Sequence, residues 1–402
     1  MALAHSPRIV TDGLVLCLDA GNLKSYDKYE NLLQQSQALA TSPWGIYSGG
    51  GFSVSNNVTS APDGTFTASQ INANPYTAGD SVYQDVSVSG TGTYTLSIFV
   101  KGGTCDSITL AAFYTGNSTQ GFSFGFNPLT GTITGGSGTV VPYPNGWYRI
   151  YFTVTGTNAS NNTLRFQIYT DTTGITYLWG AQLEKGSSLT DYYPTTTIAK
   201  NRGTTWTDLS GNGNNGTLKG TTTFNQNTID LGNTQNTTNY ILLPNSLISG
   251  ITDFTISLWV NAVSITSGSL NCIFHATNTG GNDFSIEWYN NRIQTLITST
   301  YSTFNYTFAN NTWYNFVFYR TSGNTMGLYI NGVSQGTQSC PSTTFNISGA
   351  IVMGQEQDGV EGGFQSVQSY VGKYANVLYY NKALTASEIQ QNFNALRGRF
   401  GI

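Results

Sequence analysis

Three carboxylates crowd the segment Glu356-Gln357-Asp358-Gly359-Val360-Glu361. Paired carboxylates are the side chains of glycoside hydrolysis, one acting as nucleophile or base and the other as general acid. The neighbourhood argues against that chemistry. Gly359 weakens a strand interior, and Gly362-Gly363 with the polar run 365–369 read as a surface loop. The expectation is a solvated acidic loop in a non-enzymatic protein. Carboxylates at short spacing also suit calcium, so Glu356, Asp358 and Glu361 are weak candidates for that ion, and no other cofactor is expected. Only two histidines exist, His5 and His275, which supports neither a Ser-His-Asp triad nor a histidine metal site.

The residues suited to sugar lie elsewhere. Strand alternation from Trp147 to Val154 puts Tyr148, Ile150, Phe152 and Val154 on one apolar face. Trp147, Arg149, Tyr151 and Thr153 are left on the other. The same split over 165–169 leaves Arg165, Gln167 and Tyr169. Aromatic faces beside planar polar groups are what sugars bind, so Trp147, Arg149, Tyr151, Arg165, Gln167 and Tyr169 are the candidates. These residues serve equally well as a cover for the outer sheet or as a subunit contact.

Strands must position all of them. Tyr94 to Lys101, Trp147 to Val154, Phe254 to Val260 and Trp313 to Arg320 alternate with a period of two. Asn331-Gly332 between Gly327-Leu328-Tyr329-Ile330 and Val333-Ser334 predicts a hairpin, because Asn-Gly supplies both positive-φ residues of a type I′ turn. One segment reads as helix. Thr385-Ala386-Ser387-Glu388 is a capping box, and Ile389, Phe393 and Leu396 follow as an apolar stripe.

Composition agrees. Charged residues are only 9% of the 402, yet aromatics reach 13%, which is ample apolar area for cores. The 46 glycines suit short strands and tight turns. Net charge is −4 with no Lys/Arg cluster, so the patch that nucleic acid requires is missing. No apolar run approaches the roughly 20 residues of a membrane span. The opening Met1-Ala2-Leu3-Ala4-His5-Ser6-Pro7 lacks the long apolar core of a secretory signal. Cys17, Cys105, Cys272 and Cys340 are scattered singly, which argues against a disulfide framework, and Cys17 reads as a buried thiol.

From Thr204 onward the chain resembles the laminin-G/pentraxin branch of concanavalin A-like sandwiches. The matching pieces are Asp253 to Val260, Trp313-Tyr314-Asn315-Phe316-Val317, Leu328 to Val333, and Val377 to Thr385. Calcium is common in laminin-G relatives, but Thr238 and Asn239 stand where related phage sequences carry an acidic pair. A narrower resemblance adds more. Val10-Thr11-Asp12-Gly13-Leu14-Val15-Leu16-Cys17-Leu18-Asp19-Ala20-Gly21-Asn22 is similar to the opening of structural proteins from tailed phages, particularly those of marine cyanobacteria. So is Thr205-Trp206-Thr207-Asp208-Leu209-Ser210-Gly211-Asn212-Gly213-Asn214-Asn215-Gly216, as is the ending from Gln391 to Ile402. In those proteins the first two motifs follow one another closely, so the long separation here implies an insertion. The inserted part resembles the carbohydrate-binding-like jelly rolls of phage virion proteins. Its landmarks are Asn31-Leu32-Leu33, Trp44, Gln84-Asp85-Val86, Gly146-Trp147-Tyr148-Arg149, Leu178 to Glu184 and Thr190-Asp191-Tyr192-Tyr193-Pro194.

The expected protein is therefore all-β: a concanavalin A-like (laminin-G-like) antiparallel sandwich with an inserted β jelly roll and one short C-terminal helix. Its parts are 1–28 as first strand, 29–198 as the insertion and 199–402 as the remainder of the sandwich. The resemblance implies a surface protein of a virion assembled in the host cytoplasm. Its partners would be other virion proteins and host or environmental polysaccharide, with no nucleic acid and no membrane. The absence of heptads and fibrous repeats favours a globular decoration or knob over a tail-fibre stalk; a structural component that packs only through its sandwiches is the alternative, and a depolymerase using Glu356, Asp358 and Glu361 the remaining one.

Overall fold

The computed structural model describes residues 8–27, 29–116, 119–225, 227–265, 270–278, 284–321 and 324–402. Residues 1–7, with the expectation about a secretory signal and with His5, lie outside them. The chain divides into two compact units. One holds the described residues up to Asp27 together with Gly203–Ile402. The other is the intervening segment as far as Arg202, where Asn31 and Lys200 pair backbone to backbone and draw its two ends together.

The sandwich unit is built from two eight-stranded antiparallel sheets. One runs in the order Thr223–Asn225, Thr228–Asp230, Gly372–Tyr380, Phe254–Ala262, Trp313–Thr321, Thr325–Ile330, Val333–Ser339. Leu14–Asp19 joins it on Gly372–Tyr380, with Leu16 opposite Tyr379 and Leu18 opposite Val377. A strand laid down before the insertion thus pairs with one near the end of the chain. The second sheet runs Thr205–Trp206, Gly216–Lys219, Tyr240–Leu243, Ile351–Met353, Asn271–Ala276, Phe284–Trp288, Arg292–Ile297, Thr300–Asn305. Leu16, Leu18, Trp206, Ile256, Leu258 and Trp288 belong to the core between the sheets.

The Asn331-Gly332 turn has φ of 50° and 76°, as the type I′ reading requires. The helix is Ala386–Leu396, and its capping box is formed by Thr385 and Glu388. Ile389, Phe393 and Leu396 face the first sheet, where they cover Trp259, Leu378 and Tyr380. Phe400 then stacks on Trp259 with centroids 4.1 Å apart. The helix closes the outer side of that sheet, as its single apolar stripe dictates. No described helix is long and apolar enough to cross a membrane.

The inserted unit has two six-stranded antiparallel sheets. The first is ordered Thr139–Tyr143, Trp147–Thr155, Thr93–Gly102, Gly174–Lys185, Ala68–Ala73, Phe52–Thr59; the second Gly45–Tyr47, Ser81–Ser87, Thr163–Thr170, Ile108–Thr115, Gln120–Asn127, Thr132–Gly136. Ile150, Phe152 and Val154 of one meet Leu164, Phe166 and Ile168 of the other in a shared core. All four cysteines are buried and free, and burial pushes the Cys17 thiol up to about 12.

The inserted unit also buries an acid. Glu184 accepts hydrogen bonds from the Thr190 hydroxyl and, at 3.1 Å, from the Thr190 amide, with Arg202 4.0 Å away. Burial outweighs these partners and raises the carboxyl above its ordinary range. A raised carboxyl favours the protonated fold, so its contribution is complete at acid pH and is lost as pH climbs through the folded pKa. The resistance of wild type to urea should therefore fall relative to Glu184→Gln as pH rises above the ordinary carboxyl range of about 4. Parallel curves for the two proteins contradict this.

Candidate functional site

The six sugar-binding candidates do not share a surface. Trp147, Arg149 and Tyr151 lie on the outer side of one inserted sheet and Arg165, Gln167 and Tyr169 on the outer side of the other, with the common core between them. The structure thus divides the six candidates, three to each outer face.

On the first sheet the outer face is itself covered. Trp147 is 1% exposed and packs with Ala61, Ala68, Phe99 and Trp179 in a small second core, against which Tyr192 also packs. Arg149 is 4% exposed. It donates to the Thr190 carbonyl at 2.9 Å and to the Ser97 hydroxyl at 3.0 Å, with its guanidinium 5.2 Å from the Phe99 ring centroid. Tyr151 is half-buried, paired between Thr139 and Ser97. Trp147 and Arg149 are therefore anchors for the closing segment around Thr190–Tyr192, and a sugar has no access to them.

The second sheet keeps an open face. Arg165 grips Asp85 through two parallel bonds, Nε to Oδ1 at 2.7 Å and Nη2 to Oδ2 at 2.8 Å, and its Nη1 donates to the Tyr47 hydroxyl at 3.0 Å. The guanidinium also lies over the Tyr83 ring at 4.0 Å. Tyr83 stacks in turn on Tyr47, centroids 4.7 Å apart and planes within 20°. Hydrogen bonding to Asp85 raises the Arg165 pKa further, so the group is a fixed cation. Strand register continues the surface inward. Arg165 sits beside Phe113, which is opposite Gly121, and Gln167 sits beside Ala111, which is opposite Ser123. Gln167 is 3% exposed and donates to the Ser81 hydroxyl at 2.7 Å, so it braces the floor. Tyr169, half-buried, completes the row beside Thr109. The result is a ridge of stacked rings, with Tyr47 46% exposed, next to a floor where Phe113 and Tyr169 flank the small residues Thr109, Ala111, Gly121 and Ser123. Exposed ring faces take the apolar side of a pyranose, and the guanidinium and carboxylate edges take hydroxyls.

Tyr47, Tyr83 and Asp85 were not among the expected site residues. Alternation over Ser81–Ser87 could have found Tyr83 and Asp85, whereas Tyr47 sits in the three-residue strand Gly45–Tyr47, too short to show a period.

The three carboxylates of the first candidate face separate partners. Glu361, at φ 50°, pairs with Lys219 at 3.1 Å and accepts from the Tyr240 hydroxyl at 2.8 Å. Asp358 accepts from Gln365 at 2.9 Å, and Glu356 approaches His275 Nδ1 at 3.9 Å. They follow the strand Ile351–Met353 in an irregular segment, with Gly359 and Gly362 bridged as a turn. Among the described residues no group of three or more His, Cys, Asp or Glu side chains is arranged to hold a metal ion.

Residues 234–390 match the family described as the Concanavalin A-like lectin/glucanases superfamily. The sandwich is concanavalin A-like. Human neuronal pentraxin-1 is 28% identical over 140 residues, which is 34% of this chain and 32% of the pentraxin. The chain thus spans about a third of the length of that relative. Among solved structures, a botulinum neurotoxin type C structure whose cell entry depends on two ganglioside molecules aligns with a TM-score of 0.39 and 17% identity, covering 47% of this chain and 48% of that one. Domain 4 of a GH43 extracellular arabinanase from Geobacillus stearothermophilus, in complex with arabinotriose, aligns at 0.37 and 18%, covering 46% and 91%.

Proposed function

We propose that this chain is a non-enzymatic glycan-binding protein of a phage virion surface, docked to other virion proteins and directed at host or environmental polysaccharide. The observation that carries the reading is the Tyr47–Tyr83–Arg165–Asp85 array, a pre-ordered aromatic and charged surface open on the inserted unit. Pre-ordering matters because immobilising free side chains costs affinity. The lectin-like family match of the sandwich supports the same reading. The virion location rests on the motifs at 10–22 and 205–216, which resemble tailed-phage structural proteins. These two segments fold as neighbours, for the Cys17 amide donates to Asp208 Oδ1 at 2.8 Å.

A glycan array carrying bacterial surface polysaccharides tests the proposal. Wild type is expected to bind a subset of them. Arg165→Ala should lose about tenfold in affinity, ~1.4 kcal/mol, while Tyr151→Ala binds as wild type does. A wild type that binds no glycan overturns the reading, and so does a folded Arg165→Ala with undiminished binding.

A further inference from the structure

The sandwich unit has a cavity that the proposal above does not use. It measures about 420 Å³, within the roughly 300–1,000 Å³ of small-molecule sites. It opens on the helix side of the first sheet, and its lining includes Asn227, Asn261, Trp313, Lys373, Arg399 and Phe400. Among the described residues two cations and no carboxylate line it.

Each wall is held in place. Phe400 is fixed by its stack on Trp259 and meets Trp313 with centroids 4.8 Å apart, which makes an aromatic corner. Arg399 is locked by Nη1 bonds of 2.8 and 2.9 Å to the two Asp19 oxygens. Gly21 makes room for that guanidinium, since a Cβ there would lie 2.2 Å from Arg399 Nη2. Lys373 stands opposite Asn261 across the strand pair. Its other cross-strand neighbour is Asp230, with which it forms no ion pair among the described residues, so the Lys373 ammonium keeps its donors for a ligand while Asp19 takes up those of Arg399.

We infer that this cavity binds an acidic sugar residue. The carboxylate lies toward Lys373, with Arg399 supporting, the ring packs on Trp313 and Phe400, and Asn227 and Asn261 serve the hydroxyls. An anion gains from the cation pair, and an aromatic corner gains from the apolar side of a pyranose. Neither feature alone selects the ligand; together they favour a uronic acid over both a neutral hexose and a bare anion.

Ligand-observed saturation-transfer NMR on the full chain tests this with glucuronate, glucose and inorganic sulfate as probes. Glucuronate should receive at least threefold more saturation than glucose. Lys373→Met and Trp313→Ala should each cut the glucuronate signal at least threefold. Tyr151→Ala, at neither site, should leave it unchanged, and because Lys373 and Trp313 lie on the sandwich unit their effect is distinct from any failure of the Arg165 site. Equal signals for the two sugars overturn the inference, as does a glucuronate signal that survives Lys373→Met in a folded protein. Complete displacement of glucuronate by equimolar sulfate also overturns it, because the cavity would then read charge alone.

Discussion

Asp208→Ala is expected to destabilise the sandwich unit by about 3 kcal/mol, because it strips a buried carboxylate from several donors at once. Asp208 Oδ1 accepts from the Cys17 amide at 2.8 Å and the Ser210 amide at 2.9 Å, and Oδ2 accepts from the Ser210 hydroxyl at 2.7 Å and the Asn214 amide at 3.0 Å. The loop so ordered reaches back to the first strand, where Ser210 Oγ and Asn214 Nδ2 both donate to the Val15 carbonyl. One side chain therefore binds the strand that precedes the insertion to the segment that follows it. Denaturant unfolding monitored by tryptophan fluorescence reads the effect. Asp208→Asn keeps one acceptor and should lose less. A change below about 1 kcal/mol for the alanine variant shows that the loop holds its shape without the carboxylate.

Asn31→Ala should do comparable damage to the inserted unit, about 2–3 kcal/mol from four hydrogen bonds at once. The Asn31 amide is fully buried. Its Nδ2 donates to the carbonyls of Ala181 at 2.9 Å and Tyr193 at 3.0 Å, and its Oδ1 accepts from the Leu33 and Leu183 amides at 3.2 Å. Three stretches of chain meet at this one carboxamide. Asn31→Asp removes the donor and buries a charge, so it should be no milder than alanine. An unfolding midpoint for Asn31→Ala that matches wild type contradicts this assignment.

Both residues stood in motifs that the sequence displayed, and their roles show what a sequence carries and what it withholds. Strands and turns were legible because their signals are local: the Asn-Gly pair at 331–332, the capping box at Thr385, the alternation from Trp147 onward. Which residues face the core followed from the same period, and Ile150, Phe152 and Val154 are buried as read. What lies over the opposite face is a non-local matter. Arg149 and Trp147 had the composition of a sugar platform, yet a segment some forty residues further along covers Arg149, as its bond to Thr190 shows. Arg165 had an equivalent pattern and stayed open, with Tyr47 and Asp85 as partners from two other strands. Polar-face alternation cannot distinguish these outcomes, because it records that a face is not core and says nothing of what covers it. The irregular course of the acidic run at 356–361 was legible for the opposite reason: Gly359 within it and Gly362-Gly363 after it break any strand pattern that would aim the carboxylates together.

The claim that matters most is that the ridge of Tyr47, Tyr83 and Arg165 holds a glycan. Isothermal titration with the best array ligand, run on wild type, Arg165→Ala and Tyr83→Ala, measures it directly. The expected result is one site on wild type and at least a tenfold weaker affinity for each variant, with all three proteins unfolding at the same temperature to within a few degrees. Undiminished affinity in both variants would place the glycan elsewhere and contradict the account.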